Sequence, residues 1–443
     1  MSVLEKALEM LRQKRLCDHC LGRQFALLGY GLENDERGHA LKLTLLLDAQ
    51  LRGDSGDKDA VREMKLLASN GFFEPAKYVL KRMKKRLPKA AHEESCFLCQ
   101  NRFLEIKTLT DRSTTELQGY EFTTFLVGIE LPEKIEERED EFKAAYSVSH
   151  GESLRNEFGR VIGKRIAELI GKEVDHLRPE VVVLVNPFDR QIRLQVNPLY
   201  VSGRYRKLVR NIPQSKWFCS SCHGRGCGKC GGTGKMYPES VEEIVEKPFL
   251  EAAGSSKASF HAAGREDIDA RMLGRGRPFV VEVDEPRRRF LDLQRLEKRV
   301  NDEGKGRVKV SNLRFGDKSA VRKLKRGEMS QKEYRVLVGF EDEIRKGDLR
   351  LLEKNLKNVL VSQRTPNRVL HRRADLTREK YIYDVKVKKL SLRKAEMRIR
   401  CQGGLYVKEL VSGDEGRTTP NVSQILENKA KPLKLDVLNV IME

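Results

Sequence analysis

Eight of the nine cysteines fall into four Cys-x-x-Cys pairs, 17/20, 96/99, 219/222 and 227/230, and this pairing constrains the chain more than any other feature. Closely spaced cysteine pairs in a chain read as cytoplasmic point to metal rather than to disulfides. Residues 219–234, CSSCHGRGCGKCGGTG, hold two tandem copies of Cys-x-x-Cys-x-Gly-x-Gly. Two pairs this close can surround one tetrahedral zinc, and the glycines permit backbone turns that aim amide groups at the thiolates. A closed shell of four thiolates has no open position, so the expected role of Cys219, Cys222, Cys227 and Cys230 is structural. The competing reading is a reduced, metal-free Gly-rich loop. Cys17, Cys20, Cys96 and Cys99 form a second candidate zinc set, against the alternative of small buried cysteines in a helical core. His19 and His223 are bystanders in this reading, because four thiolates already fill each shell. Cys401 is expected inside a strand.

At 443 residues the chain is too long for one compact core, and two or three domains are expected. No stretch approaches the roughly 20 apolar residues of a membrane span. The N-terminal MSVLEKALEMLRQKRL lacks the apolar run and cleavage site of a secretory signal, so the expected location is the cytoplasm. Lys and Arg number 86 against 65 acidic residues, a formal charge of +21. Such an excess fits a polyanionic partner, since each neutralised phosphate releases a counterion. An ordinary basic surface is the blander explanation.

Apolar periodicity predicts helices in residues 1–100. From about 120 the texture changes to a small α/β unit: YEFTTFLVGIEL as a strand, 153–171 as an amphipathic helix, then PEVVVLVN (179–186) and RQIRLQV (191–197) as two strands. The basic run SGRYRKLVR (202–210) follows, with Arg204 and Arg206 as candidate contacts to the polyanionic partner. The Gly/Cys cluster then reads as a metal-stapled linker, and the main boundary is placed there. The segments 277–284, 306–315, 334–340, 380–390 and 395–402 read as strands, and 341–356 and 406–412 as helices. The expectation is an α+β chain with a helical region over 1–100, an α/β module over 101–215, a stapled linker over 216–235, and a mixed or antiparallel sheet flanked by helices over 236–443.

The segment HAAGREDIDARMLGRGRPFVVEV (261–283) carries the most chemistry. Taken alone, GREDIDARMLGRGRP is a charged, Gly-punctuated loop, usually a solvated turn. Yet Asp267 sits among Arg265, Arg271, Arg275 and Arg277, a cation density suited to a phosphate chain, and the loop opens directly into an apolar strand.

Gly264, Arg265 and Asp267 resemble the Gly-Arg-Thr-Asp motif of TruA-type pseudouridine synthases. The longer AGREDIDARMLGRGRPF resembles the archaeal and eukaryotic family that converts tRNA uridines 54 and 55. KEYRVLV (332–338) resembles the strand bearing the active-site tyrosine, which points to Tyr334. GGLYVKELVSGDEGRTTP (403–420) resembles the third motif, with Lys408 at its basic position and Val407 and Leu410 at the apolar ones; Leu405 stands where TruB-type enzymes commonly have Thr. SQRTPNRVLHRRAD (362–375) and 197–217 also resemble segments of this family, and 179–210 resembles the end of a THUMP module, which binds RNA. The tandem cysteine repeat resembles the zinc region of DnaJ-type chaperones, which use four copies and pair non-adjacent ones, so chaperone function does not carry over.

The resemblance implies a tRNA pseudouridine synthase; its isomerisation needs no redox change or external group and so no organic cofactor, the cysteine sets add structural zinc, and a monomer is expected. Asp267 would be the nucleophile or the electrostatic and basic partner at the sugar, Tyr334 would stack on uracil, and Lys408 would keep Asp267 ionised. Arg265 would contact phosphate or hold the flipped nucleotide open, with Arg271, Arg275, Arg277, His371, Arg372 and Arg373 as further RNA contacts. Asp269 is the nearest rival to Asp267. Trp217 is expected to pack beside the stapled segment. A THUMP-containing methyltransferase or thiolase would need a donor pocket, for which GRGRP (274–278) is too weak. A non-catalytic zinc-dependent RNA-binding or assembly protein fits the charge and cysteines equally well, and only Asp267, Tyr334 and Lys408 separate it from the enzyme.

Overall fold

The computed structural model describes residues 2–88, 95–325 and 330–441. The chain divides into two compact units, Met1–Asn197 and Pro198–Glu443.

In the N-terminal unit, helices fill the first half and a four-stranded sheet the second. The strands are β1 (Thr124–Ile129), β2 (Glu173–Val174), β3 (Val181–Asn186) and β4 (Gln191–Val196), ordered β2-β1-β3-β4. β1 runs parallel to β2 and β3, and β4 closes on β3 as an antiparallel hairpin. Val181, Val183 and Val185 alternate inward as a period of two requires. The helix Leu154–Ile170, capped by Ser153, buries Leu154, Phe158, Ile162 and Ile166 beneath this sheet. The expected separation of 1–100 from the α/β module is corrected here, because one continuous core runs through both. Phe103 stacks on Phe158 with centroids 4.1 Å apart, and Phe158 meets Phe188 edge-on. Arg23, fully buried, is bonded to Glu139 and to the carbonyl of Glu152. The helices Asp18–Gly22 and Asn34–Asp54 cross at two glycines: a Cβ on Gly22 would meet the Asn34 carbonyl at 1.8 Å, and one on Gly38 would meet the Asp18 carbonyl at 2.0 Å. This close crossing places Cys20 in the core.

Among the described residues, the C-terminal unit is built on ten strands: β5 (Leu199–Lys207), β6 (Ala258–Ala262), β7 (Arg271–Val283), β8 (Val308–Gly316), β9 (Gln331–Phe340), β10 (Val359–Arg364), β11 (Thr377–Ser391), β12 (Lys394–Gln402), β13 (Thr418–Thr419) and β14 (Ala430–Ile441). Their order is β13-β10-β11-β12-β9-β14-β7-β5-β8, with β6 also pairing β7. Every pair is antiparallel except β14 with β7. The helices Val241–Ala253, Leu293–Glu303 and Lys346–Leu356 bury apolar faces in the two cores of this unit. Cys401 lies buried on β12.

Three expectations change. The boundary falls at 197/198 and not in the cysteine cluster, because 199–207 is a strand hydrogen-bonded on both sides, to β7 and β8. The stapled segment therefore lies inside the C-terminal unit. The 264–278 loop is shorter than the sequence implied, since β7 begins at Arg271. No helix among the described residues is long and apolar enough to cross a membrane.

Candidate active site

Between β6 and β7 the chain turns through 263–270, and this turn is held from below by buried polar groups. Lys207 on β5, fully buried, donates to the carbonyls of Ile212, Asp267 and Ile268 at 2.9, 3.1 and 3.2 Å. Burial pushes its pKa down to about 8, even with Glu266 nearby. Arg277 donates to the Ala263 carbonyl at 2.7 Å and to Glu266 at 3.0 Å. Tyr205 donates to the same carboxylate, and Gln214 donates to Tyr205 and to the Gly264 carbonyl. Gly264 itself has φ +81°, the left-handed region that suits glycine. A closing hydrogen bond from the Ala270 amide to the Asp267 carbonyl tightens the turn.

The turn presents Asp267 to a cavity of about 670 Å³, within the usual range of roughly 300–1,000 Å³ for small-molecule sites. Its carboxylate lies 3.2 Å from the Lys408 ammonium and 3.3 Å from the Arg368 guanidinium. Burial raises the Asp267 pKa, but Arg368 and Lys408 more than offset it and hold the carboxyl below the ordinary aspartate range. Lys408 sits on the short helix Val407–Ser412, whose Val407 and Leu410 are buried. Gln363 on β10 fixes the start of that helix by bonding both the amide and the carbonyl of Tyr406. Arg368 is anchored in turn by Glu409 at 2.6 Å. Tyr334 on β9 lines the same cavity, and burial raises its hydroxyl pKa. Leu405 and Val437 supply apolar wall. Asp269 also touches Lys408, at 2.8 Å, but its side chain is 60% exposed against 32% for Asp267, and Arg368 contacts Asp267 alone of the two.

The two cysteine sets come together as well. In each, the four sulfurs lie within 4.8 Å of one another. The Sγ pairs Cys17–Cys99, Cys219–Cys227 and Cys222–Cys230 are 3.6, 3.8 and 3.8 Å apart. A tetrahedron with metal–sulfur bonds of about 2.3 Å has edges of about 3.8 Å, so both sets fit a metal ion. Amides of Gly226 and Gly234 point at Cys222 and Cys230 Sγ at 3.2 Å each, as the glycine spacing implied.

Comparison with known proteins extends the geometry. The family described as "Pus10, C-terminal" matches residues 200–441, and "Pus10 THUMP domain, archaeal" matches 109–186. The chain belongs to the Pus10 family. The tRNA pseudouridine synthase Pus10 of Methanocaldococcus jannaschii is 44% identical over 98% of this chain and 93% of its own. That of Methanothrix thermoacetophila is 41% identical over 99% and 94%, and that of Pyrococcus furiosus 39% over 99% and 98%. Among solved structures, a Cbf5-Nop10-Gar1 complex aligns with 54% of this chain and 48% of its own at TM-score 0.31 and 14% identity, too distant to carry an argument.

Of the arginines expected to grip RNA, three are engaged within the protein itself. Arg277 is 1% exposed and paired with Glu266, out of reach of any phosphate. Arg204 spends its guanidinium on the carbonyls of Arg275, Gly276 and Val440. Arg271 makes a two-pronged bond to Asp436 at 2.9 and 3.0 Å. Arg265 lies over the Trp217 ring at 4.9 Å, at the cavity, and Arg373 donates to the Tyr406 hydroxyl there. Trp217 thus lines the cavity while also meeting Tyr237 edge-on. Arg275 and His371 are exposed and Arg206 half-buried; the side chain of Arg372 lies outside the described residues.

Sequence reasoning misses Arg368, although it lies in the 362–375 segment that resembles the family, and it misses β14. Asp436 on β14 stands opposite Arg271 of β7 and Arg335 of β9, and accepts bonds from both and from Arg210. Burial pushes its pKa up, and the hydrogen bonds from Arg271 and Arg335 with the charge of Arg210 bring it down to about 2. Asp436→Asn is expected to cost about 3–5 kcal/mol, the usual result of removing one partner from a buried ionic cluster. A carboxylate with a depressed pKa stabilises fully above its unfolded value near ~3.9 and loses that effect as pH falls through about 2. Denaturation of wild type and variant from pH 7 to pH 2 should therefore show a gap that is full above about pH 4 and shrinks below it.

Proposed function

We propose that the chain is a tRNA pseudouridine synthase that isomerises uridine in the T-loop, at position 54, position 55 or both, with Asp267, Tyr334 and Lys408 at the reacting centre. The observation that carries this reading is the Asp267 carboxylate, ionised between Lys408 and Arg368 in a cavity that Tyr334 lines. Family membership supplies the reaction: relatives named tRNA pseudouridine synthase Pus10 match nearly the full chain.

The chemistry asks for these groups. The C1′–N1 bond breaks, the base turns, and a C1′–C5 bond forms. No electrons are gained and no group is brought in, so no organic cofactor is required. A carboxylate must act at the ribose, and it must stay charged where water is scarce. Lys408 and Arg368 supply the compensating charge. The target base must leave the RNA stack to enter the cavity. Tyr334 lies against the base face and keeps it close while it turns. Arg265 and Arg373, at the cavity, meet the flanking phosphates. Arg275, Arg206 and His371 extend that contact, and the excess of positive charge draws tRNA to the surface. The THUMP domain of the N-terminal unit contributes a second RNA-binding element.

Zinc is the metal that best suits two sets of four thiolates, and both sites are structural because their shells are closed. The protein works as a monomer in the cytoplasm, where its substrate is found. A non-catalytic RNA binder would have the same charge and thiolates, but no use for an ionised aspartate paired with two cations in a cavity.

Incubation of an unmodified tRNA transcript with the pure protein and no cofactor, followed by chemical mapping, should reveal pseudouridine in the T-loop. Asp267→Asn should abolish product while leaving tRNA binding within a few-fold; loss of both together would undercut the assignment. Cys219→Ser should lower bound zinc from two to one per chain and lower the melting temperature, with chemistry retained at permissive temperature. Unchanged metal content would contradict the zinc assignment.

A further inference from the structure

Among the described residues lining the cavity, Lys332 is the one cation to which the reading above gives no task. It stands two residues before Tyr334 on β9, and strand alternation puts both side chains on one face. Among the described residues its ammonium has no hydrogen-bond or ion-pair partner. Glu266, the carboxylate facing it, is already bonded to Arg277 and Tyr205. The other groups facing it are Arg277 on β7, Lys380 on β11 and the Cys401 thiol on β12. A Cβ on Gly264 would stand 3.0 Å from Lys332 Nζ, so glycine there leaves the ammonium its place beside the turn that carries Asp267. Burial, reinforced by Arg277, lowers its pKa to about 8. Buried charges are normally paired, and one left without a partner in a cavity implies that the bound ligand supplies the negative charge.

We infer that Lys332 hydrogen-bonds a carbonyl oxygen of the target uracil and stabilises the base anion formed when the glycosidic bond breaks. The inference rests on the synthase reading above. When C1′–N1 breaks heterolytically, the electron pair departs with N1 and its charge spreads onto O2 and O4. The Lys332 ammonium donates to one of these oxygens and keeps its proton. When the base has turned, C5 bonds to C1′, the C5 proton passes to solvent and N1 takes one from solvent, so the base ends neutral and Lys332 ends as it began. Asp267 answers the charge developing on the ribose, and Lys332 answers the opposite charge on the base. Both charges then form against fixed partners and not against water that must reorganise.

The test is single-turnover conversion of a tRNA transcript by wild type, Lys332→Met and Lys332→Arg, with tRNA binding measured separately. Lys332→Met should slow the chemical step by about 100-fold, the scale on which one preorganised donor to a developing oxyanion acts, with binding within about threefold. Lys332→Arg should recover part of the rate. The wild-type rate should fall as pH rises through about 8, and the arginine variant should hold its rate to higher pH because a guanidinium stays charged. A Lys332→Met rate within threefold of wild type would overturn the inference. So would a slow variant whose binding falls in parallel, or an arginine variant with the wild-type pH profile. A wild type that makes no pseudouridine would instead defeat the synthase reading.

Discussion

Three strands far apart in sequence are tied together at one buried carboxylate. Asp436 lies between Arg271 of β7 and Arg335 of β9, directly opposite each in register, and Arg210 closes the cluster. β7 is the strand that leaves the turn carrying Asp267, and β9 carries Tyr334 and Lys332. By bridging them, β14 fixes the distance between the aspartate and the face on which a base would lie. Val437, the next residue, lies opposite both Met272 and Tyr334 and forms part of the cavity wall. The site is therefore assembled by the sheet rather than by any one loop.

A second constraint acts under the turn. Lys207, Arg277 and Glu266 are charged groups taken wholly out of water, and each finds its partners in the turn itself or in the groups that hold it. Removing any one would leave another unpaired, which makes the arrangement costly to deform. That rigidity suits a site in which a carboxylate must stand within a few tenths of an ångström of its working position. The same logic applies to the other cations near Asp267: Arg277 is held by Glu266 and the Ala263 carbonyl, Arg204 by carbonyls of β7 and β14, and Arg271 by Asp436.

Much of this was legible in the sequence. The helices of the first hundred residues, the hairpin at 181–196 and most strands of the second unit showed their periodicity. The cysteine sets were readable because ligand spacing is local. Asp267, Tyr334 and Lys408 were legible through short motifs, and the fold brings all three to one cavity. What failed had a common cause. Charge was read as exposure, so 202–210 became a basic tail when Tyr205 and Lys207 in fact alternate inward on a strand, and Arg277 and Arg204 were placed outside. β14 escaped because two register shifts, with Pro432 and Lys434, break its alternation. Arg368 carries no local mark of its role; only the fold shows that it meets Asp267 across about a hundred residues. The boundary slipped to the cysteine cluster because a metal staple resembles a linker in composition while packing as part of a domain.

The account stands on Asp267 being a carboxylate that its neighbours keep ionised. The most direct measurement is carbon-13 NMR titration of aspartate carboxyl groups in the folded chain, with the Asp267 signal assigned by its loss in Asp267→Asn. The structure predicts a titration below the ordinary aspartate value of about 3.9, moving upward when Lys408 or Arg368 is replaced by methionine. A value at or above the ordinary one, indifferent to both substitutions, would contradict it.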